Sequence, residues 1–162
     1  MPRWTFETNP GALSASEKDT LAQSITSTYA ELGIPAFLVN VFFHENPEGC
    51  FYSGGKTPPN TVFFVLDHAA RSFPSPEVRL AFIARVNKIV RPILEPKGVK
   101  WEYNIYEHPA DNWRVNGMVP PVGEEGVWGE WIERNRAVPY GRYLLEEGRD
   151  EDDSELAAVD LN

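Results

Sequence analysis

A strand–helix–strand pattern occurs twice along this chain, with a period of about 60 residues. In the first copy, residues 2–8 alternate apolar and polar side chains, which is typical of a half-buried strand. Ser14 and Glu17 have the spacing of a capping box and predict the start of a helix, which Gly33 ends. Residues 36–43 are predicted to form a second strand that is buried for most of its length.

The second copy has the same order of elements. Residues 61–66 are predicted to form a strand, and Ser75 is predicted to cap a helix whose first residue is Pro76. Pro96 ends that helix, because proline lacks the N–H group that would continue it. Residues 100–106 then form the second strand of this copy.

The duplication predicts an α+β fold of two tandem β-α-β units, at about residues 2–45 and 61–109. Two such units pair into a four-stranded sheet with both helices on one face. The other face has no helix to cover it, so we expect several copies of the chain to associate. Residues 116–131 lack periodicity and are predicted to form a loop whose tryptophans dock on the body or on a neighbouring subunit.

Acidic residues are concentrated at the C-terminal end. The 162 residues carry a net charge of −9, and residues 146–162, with eight acidic residues and Arg149, account for −7 of it. The rest of the chain therefore carries only −2. We predict a domain at 1–145 followed by an acidic, disordered tail at 146–162. An acidic surface disfavours nucleic acid as a partner.

Cysteine content and hydropathy favour a cytoplasmic protein. Cys50 is the only cysteine, so no intramolecular disulfide can form. No apolar run reaches the roughly 18 residues that a membrane span needs. The first residues do not show the basic and apolar stretches of a secretory signal. We therefore expect no membrane partner.

Pro2 is the residue that we expect to carry chemistry, because loss of Met1 leaves it with a free secondary amine. A free α-amino group has a pKa of about 8, and an apolar pocket lowers it since desolvation disfavours the charged form. Such an amine can act as a general base near neutral pH. Many chains begin with Met-Pro without functional consequence, so Pro2 alone is weak evidence.

Arginines and histidines supply further candidates. The planar guanidinium groups of Arg71 and Arg3 match a substrate carboxylate, although either residue can equally be an ordinary surface arginine. His44, His68 and His108 lie beside loops without the spacing of a metal site, so we expect no bound metal.

Tyr29 lies on the apolar face of the first predicted helix and is interpreted from this pattern as a core tyrosine. Cys50 has no spacing to a histidine that marks a nucleophile, so it is interpreted as a buried thiol. The chain has no glycine-rich phosphate loop, and we expect no cofactor.

Four short segments occur in a recognisable order between residues 2 and 131. They are Pro2, Phe43-x-Glu45-x-Pro47-x-Gly49 followed by Gly54-Gly55, Trp101-x-Tyr103 with Glu107-x-Pro109-Ala110, and Gly123-x-Glu125-Gly126-x-Trp128. Together they resemble the cis-3-chloroacrylic acid dehalogenase-like branch of the tautomerase superfamily, which has the 4-oxalocrotonate tautomerase-type fold. Each segment is weak alone, but four in the right order are specific.

The resemblance implies a cofactor-independent homotrimer with Pro2 at the base of a small pocket near subunit contacts. In that branch the proline exchanges protons with an enol, keto or unsaturated acid, and arginines hold the substrate carboxylate. By the same resemblance, Arg71 matches one arginine. Tyr103, or Asn104 with a shift of one residue, matches a tyrosine that activates water with a glutamate. Tyr29 replaces a histidine of the first helix, and it can donate a hydrogen bond but cannot become cationic.

Two departures from the branch bear on the reaction. Ala69 stands where the branch has its first arginine, so Arg114 or Arg3 is expected to assist Arg71 in holding a carboxylate. Val115 stands where the branch has the water-activating glutamate, and a valine cannot deprotonate water.

Tautomerisation by the proline needs no such glutamate, and we therefore predict a keto-enol tautomerase acting on a small carboxylic acid. The alternatives are a decarboxylase, hydratase or dehalogenase that uses the same proline, and a catalytically inactive binding protein with this fold. A metal-binding domain that uses the histidines is a third alternative.

Overall fold

The computed structural model describes residues 2–69 and 72–145. The described chain forms four strands and three longer helices, with short 3₁₀ turns between some of them. These are β1 (Arg3–Thr8), α1 (Ala15–Glu31), β2 (Asn40–Glu45), β3 (Thr61–Ala69), α2 (Pro76–Leu94), β4 (Lys100–His108) and α3 (Glu125–Arg134). The chain divides into two compact units, residues 1–113 and 114–162, and the first contains the whole sheet.

The sheet has the strand order β2-β1-β3-β4. Within each half the two strands are parallel, as a helical crossover requires, and the two halves meet through the antiparallel pair β1 and β3. Arg3 is paired in register with Asp67 across this central pair. The predicted α+β fold of two β-α-β units in one four-stranded sheet is confirmed.

Both helices begin at the predicted caps. The backbone N–H of Glu17 donates to the Ser14 hydroxyl at 3.3 Å, and the Ser14 N–H donates to the Glu17 carboxylate at 2.7 Å. The Ser75 hydroxyl accepts from the Val78 N–H at 3.4 Å at the start of α2. Each cap satisfies an amide that has no partner within the helix, which contributes about 1 kcal/mol.

The core of the first unit lies between the helices and one face of the sheet. Trp4 and Phe6 of β1 are almost completely buried, as is Phe64 of β3. The ring centroids of Phe6 and Phe64 are 4.8 Å apart, and Tyr103 of β4 stacks on Phe64 at the same distance. The helices contribute a complementary apolar stripe to this core: Leu21, Ile25 and Tyr29 from α1, and Phe82, Val86, Val90 and Leu94 from α2.

Among the described residues of the first unit, no helix covers the opposite face of the sheet. Phe42 and Tyr106 are 44% and 51% exposed there. This face also carries charged pairs, among them Arg3 with Asp67 at 2.7 Å. The open face is therefore mixed rather than apolar throughout, because ion pairs alternate with apolar side chains along the strands.

The predicted strand at 36–43 was placed too early. Ala36–Leu38 form a short 3₁₀ turn, and β2 begins only at Asn40. The strand is also less buried than predicted, since it lies at the edge of the sheet and has only β1 as a neighbour. Pro35, which has no N–H to give to a sheet ladder, precedes the turn.

The predicted loop at 116–131 is likewise corrected, because its second half belongs to α3. Trp131 of α3 is fully buried, and its indole N–H donates to the Val138 carbonyl at 2.9 Å. The division after Trp113 falls inside the predicted domain 1–145, and the predicted tail 146–162 lies outside the described residues. The interpretation of Cys50 as a buried thiol is wrong, because Cys50 lies in the loop between β2 and β3 and is exposed.

Candidate active site

Pro2 lies at the beginning of β1 and is buried. Its carbonyl accepts a hydrogen bond from the Asn40 N–H at 2.9 Å, so the pairing with β2 continues to this residue. Side chains alternate along a strand, and Pro2 therefore lies on the same face as Trp4, towards the helices. Pro2 therefore lies at the end of the sheet where β1 begins, on the helix-covered side.

Several chain segments meet at the end of the sheet where β1 begins. Because β3 runs antiparallel to β1, its last residues lie beside the first residues of β1. Arg3 of β1 is paired with Asp67 of β3, so the next residue of β3, His68, lies beside Pro2. The C-terminal end of α1 lies at this end of the sheet because α1 leads into β2, which is parallel to β1. The N-terminal end of α2 lies there too because α2 follows β3.

A cavity of about 340 Å³ lies among these segments. Tyr29 and Leu32 line it from the end of α1, and His68 lines it from the end of β3. Its far wall is formed by Phe73 of the following loop and, from α2, chiefly by Phe82 and Arg85. The size and mostly apolar lining are those of a small-molecule site with few polar groups.

Tyr29 is fully buried in the wall of this cavity. Its hydroxyl oxygen accepts a hydrogen bond from the Trp4 indole N–H at 3.2 Å. Burial raises the pKa of Tyr29 to about 12, although the Trp4 hydrogen bond opposes the shift. The phenol therefore stays neutral at physiological pH and can serve only as a hydrogen-bonding group.

His68 is the buried histidine of the cavity, with 8% of its surface exposed. Its ring stacks on Phe73 at a centroid distance of 4.6 Å and lies 4.7 Å from the Phe82 ring. From the sequence, His68 was a candidate only for binding a metal. Its alternation with Leu66 on β3 could have indicated a helix-facing position.

Arg85 brings to the cavity a guanidinium that was not predicted from the sequence. Its Nη1 lies 3.8 Å from the Glu31 carboxylate, and both side chains are largely exposed. Arg85 follows Phe82 by three residues, so the helical period places both on one face of α2. This three-residue spacing was the only feature of the sequence that could have predicted Arg85 as a residue of the cavity.

Arg3 points to the open face of the sheet, opposite the side of Pro2. Its guanidinium donates to Asp67 at 2.8 Å, and Asp67 also contacts His108 Nε2 at 2.8 Å. Burial by itself raises the pKa of Asp67, but the hydrogen bonds with His108 and Arg3 outweigh it and lower that pKa.

Tyr103 lies on the helix-covered face of β4 but is not among the residues that line the cavity. Its hydroxyl donates to the Asn87 side-chain oxygen at 3.0 Å. Tyr103 is in register with Phe64, four residues before His68, which corresponds to about 13 Å along the strand. Burial raises the pKa of the Tyr103 hydroxyl.

The remaining predicted anion-binding residues lie elsewhere. Arg71 is outside the described residues. Arg114 belongs to the second unit, where the adjacent Val115 pairs with Met118 in an isolated antiparallel bridge.

The three histidines occupy separate places. His44 contacts Glu7 at 2.8 Å, His108 contacts Asp67, and His68 lies in the cavity. Within the described ranges, no three His, Cys, Asp or Glu side chains form a group that could hold a metal ion. In the same ranges, no helix has both the length and the apolar character to cross a bilayer.

The fold and the cavity at the edge where β1 begins define a β-α-β protein of the tautomerase type. The family described as "Putative oxalocrotonate tautomerase enzyme" matches residues 1–136, and the chain belongs to this family. The predicted membership of the tautomerase superfamily is thereby confirmed. A search among curated proteins gave no match.

Two solved structures share both fold and substantial sequence. A probable enzyme from the thermophilic fungus Aspergillus fumigatus is 41% identical with a TM-score of 0.83, over 86% of this chain and 98% of that one. RhCC from Rhodococcus jostii RHA1 is 35% identical with a TM-score of 0.80, over 85% of this chain and 99% of that one.

A third solved structure shares the fold alone. N1, a member of the cis-3-chloroacrylic acid dehalogenase family, is 20% identical with a TM-score of 0.61, over 82% of this chain and 97% of that one.

Proposed function

We propose that this protein is a tautomerase that uses Pro2, freed by loss of Met1, as general base and acid on a small enol, keto or unsaturated carboxylic acid. The observation that supports this most is that Pro2 is buried and lies next to His68 in the register of β1 and β3. His68 lines the cavity together with Tyr29, whereas Pro2 is not among the lining residues. Membership of the tautomerase family supports the same reaction class.

In the proposed reaction, the neutral amine of Pro2 removes the proton from the enol hydroxyl. The electron pair of the O–H bond forms the carbonyl, and the C=C electron pair takes a proton from the Pro2 ammonium at carbon. The product is the keto acid, and Pro2 returns to its neutral form. The apolar surroundings favour this cycle because they disfavour a permanently charged amine.

For the substrate carboxylate we propose Arg71, with Arg114 or Arg3 as a second cation, and we add Arg85. Arg85 lines the cavity, and its ion pair with Glu31 is long, at 3.8 Å. The Arg3 guanidinium has to leave Asp67 before it can bind an anion, so Arg85 is the stronger second candidate.

Tyr29 and Tyr103 are proposed to shape the site as neutral groups. Tyr29 is held by Trp4, and its high pKa excludes a phenolate at working pH. Tyr103 enters the proposal on its match to the family tyrosine, and its hydrogen bond to Asn87 gives it one fixed orientation.

The proposed assembly is a cytoplasmic homotrimer. The open sheet face, with Phe42 and Tyr106 half exposed, supports association of several copies. Among proteins with this fold, the F6 fused 4-OT forms an asymmetric trimer. Sedimentation at several concentrations measures the assembly directly, and a monomer would reject this part of the proposal.

Ketonisation of phenylenolpyruvate by wild type and by Pro2→Ala tests the proposed function, after intact mass has shown whether Met1 is absent. We expect a rate well above background for wild type and at least a hundredfold loss in the variant. Release of carbon dioxide or uptake of water would instead identify a decarboxylase or hydratase. Binding of the acid without turnover would identify a binding protein.

A further inference from the structure

We propose that the substrate carries an apolar group of about the size of an aromatic ring, and that this group occupies the cavity between the end of α1 and the beginning of α2. The inference rests on the proposed function and names the class of acid on which it acts. It concerns the walls of the cavity, which the assignment of Pro2 as the base does not specify.

The walls are aromatic on several sides. Phe73 and Phe82 lie 5.4 Å apart with their rings inclined at 45°, and Tyr29 lies 5.9 Å from Phe82. Such separations are those at which aromatic faces and edges attract one another, and a further ring can join them. A short diacid would leave these faces without contacts and would have to desolvate a second carboxylate beside them.

The size of the cavity fits the same occupant. An apolar cavity of about 150 Å³ is sufficient to bind benzene. The cavity here is about 340 Å³, which accommodates one ring together with the three-carbon acid chain.

Two exposed apolar side chains also line the cavity. Leu32, which directly follows α1, is 39% exposed, and Val78 of α2 is 45% exposed. A ring that enters between them removes apolar surface from water, which is the main source of affinity for such a group.

The position of His68 determines which way round the substrate lies in the cavity. His68 is the cavity residue nearest to Pro2 in the strand register. The reacting carbon therefore lies towards His68, and the ring extends from it along the aromatic wall that Phe82 of α2 and Tyr29 of α1 form.

Two acids that differ only in the ring test this proposal: phenylenolpyruvate, and enolpyruvate released from phosphoenolpyruvate by a phosphatase. Removal of apolar groups from a fitted pocket costs tenfold or more in kcat/KM. We expect wild type to favour phenylenolpyruvate at least tenfold, after correction for the uncatalysed rates.

Ala81→Leu fills the cavity from an exposed helical position, where leucine is tolerated almost as well as alanine. We expect it to lower kcat/KM for phenylenolpyruvate about tenfold and to change that for enolpyruvate less than twofold. Ala84→Leu adds the same side chain at an exposed position of α2 that does not line the cavity. It should change neither value.

Binding of phenylpyruvate, followed by ligand-observed NMR, separates this proposal from the proposed function. Binding that Ala81→Leu abolishes supports the cavity assignment even if neither enol acid is turned over, which would reject only the tautomerase. Equal turnover of both acids in wild type and Ala81→Leu overturns the cavity assignment and leaves the tautomerase intact. Absence of both binding and turnover overturns both.

Discussion

The indole N–H of Trp4 donates a hydrogen bond to the hydroxyl oxygen of Tyr29 at 3.2 Å, and both side chains are almost completely buried. Trp4 lies on β1, two residues after Pro2, and Tyr29 lies in the last turn of α1 and in the cavity wall. This bond therefore ties the strand that carries the proposed base to the helix that forms one wall of its site.

Trp4→Phe removes the donor and leaves a buried hydroxyl without it, so we expect the free energy of unfolding to fall by about 2 kcal/mol. Tyr29→Phe removes the acceptor at smaller cost in packing. Urea unfolding of both single variants and the double variant should give a coupling energy of about 1 kcal/mol. A coupling near zero would show that the bond contributes nothing to stability.

Tyr29 also predicts a loss of stability at alkaline pH. Its pKa is raised from 10.0 to about 12 in the folded protein, so the unfolded chain loses this proton first as the pH rises. The stabilisation is complete below pH 10 and is lost between pH 10 and pH 12, by roughly 2–3 kcal/mol. Unfolding of wild type and Tyr29→Phe across this range measures it, and identical slopes for the two proteins would contradict the prediction.

Asp67 predicts the opposite behaviour at acid pH. Its pKa is lowered in the folded protein by His108 and Arg3, so the stabilisation is present above the ordinary pKa and disappears as the pH falls. Asp67→Asn should therefore make stability less dependent on pH below about pH 4. Glu102→Gln, at an exposed position on the same face, serves as the control and should keep the wild-type dependence.

Arg85 lies 3.8 Å from Glu31, whereas Arg3 lies 2.7 Å from Asp67. Substitution of the two arginines should therefore have different effects on KM. Arg85→Gln removes a cation from the cavity, so we expect KM for an enol acid to rise about tenfold with kcat little changed. Arg79→Gln removes an exposed charge from α2 outside the cavity and should leave KM unchanged.

Arg3→Gln mainly removes a half-exposed pair with Asp67, which is worth about 1 kcal/mol or less, and KM should change less than twofold. A large rise in KM for Arg3→Gln alone would assign the carboxylate to Arg3 instead of Arg85.

Local signals in the sequence were sufficient for most of the fold. The capping box of Ser14 and Glu17 and the proline after Ser75 fixed the helix starts, because these contacts are made within a few residues. The position of β2 and the helix α3 were missed. Gly126 and Gly129 each disfavour a helix by about 1 kcal/mol, and the burial of Trp131, which contacts Val138 and Tyr140 beyond the helix, opposes that cost.

The site was less accessible from the sequence. Pro2 could be selected because its chemistry follows from its position after Met1. His68 and Arg85 belong to different elements, and only the strand register and the helical phase bring them to one cavity. Arg3 looked suitable because it is adjacent to Pro2, but alternation along β1 directs it to the other face of the sheet.

The proposed reaction depends on proton transfer by the free amine of Pro2. Two preparations of the same chain test it most directly: one that begins at Pro2 and one that retains Met1, each verified by intact mass. With phenylenolpyruvate, we expect the first to be active, and the second to lose at least a hundredfold in kcat/KM because its Pro2 nitrogen is an amide without basicity. Equal activity of the two preparations would contradict the account.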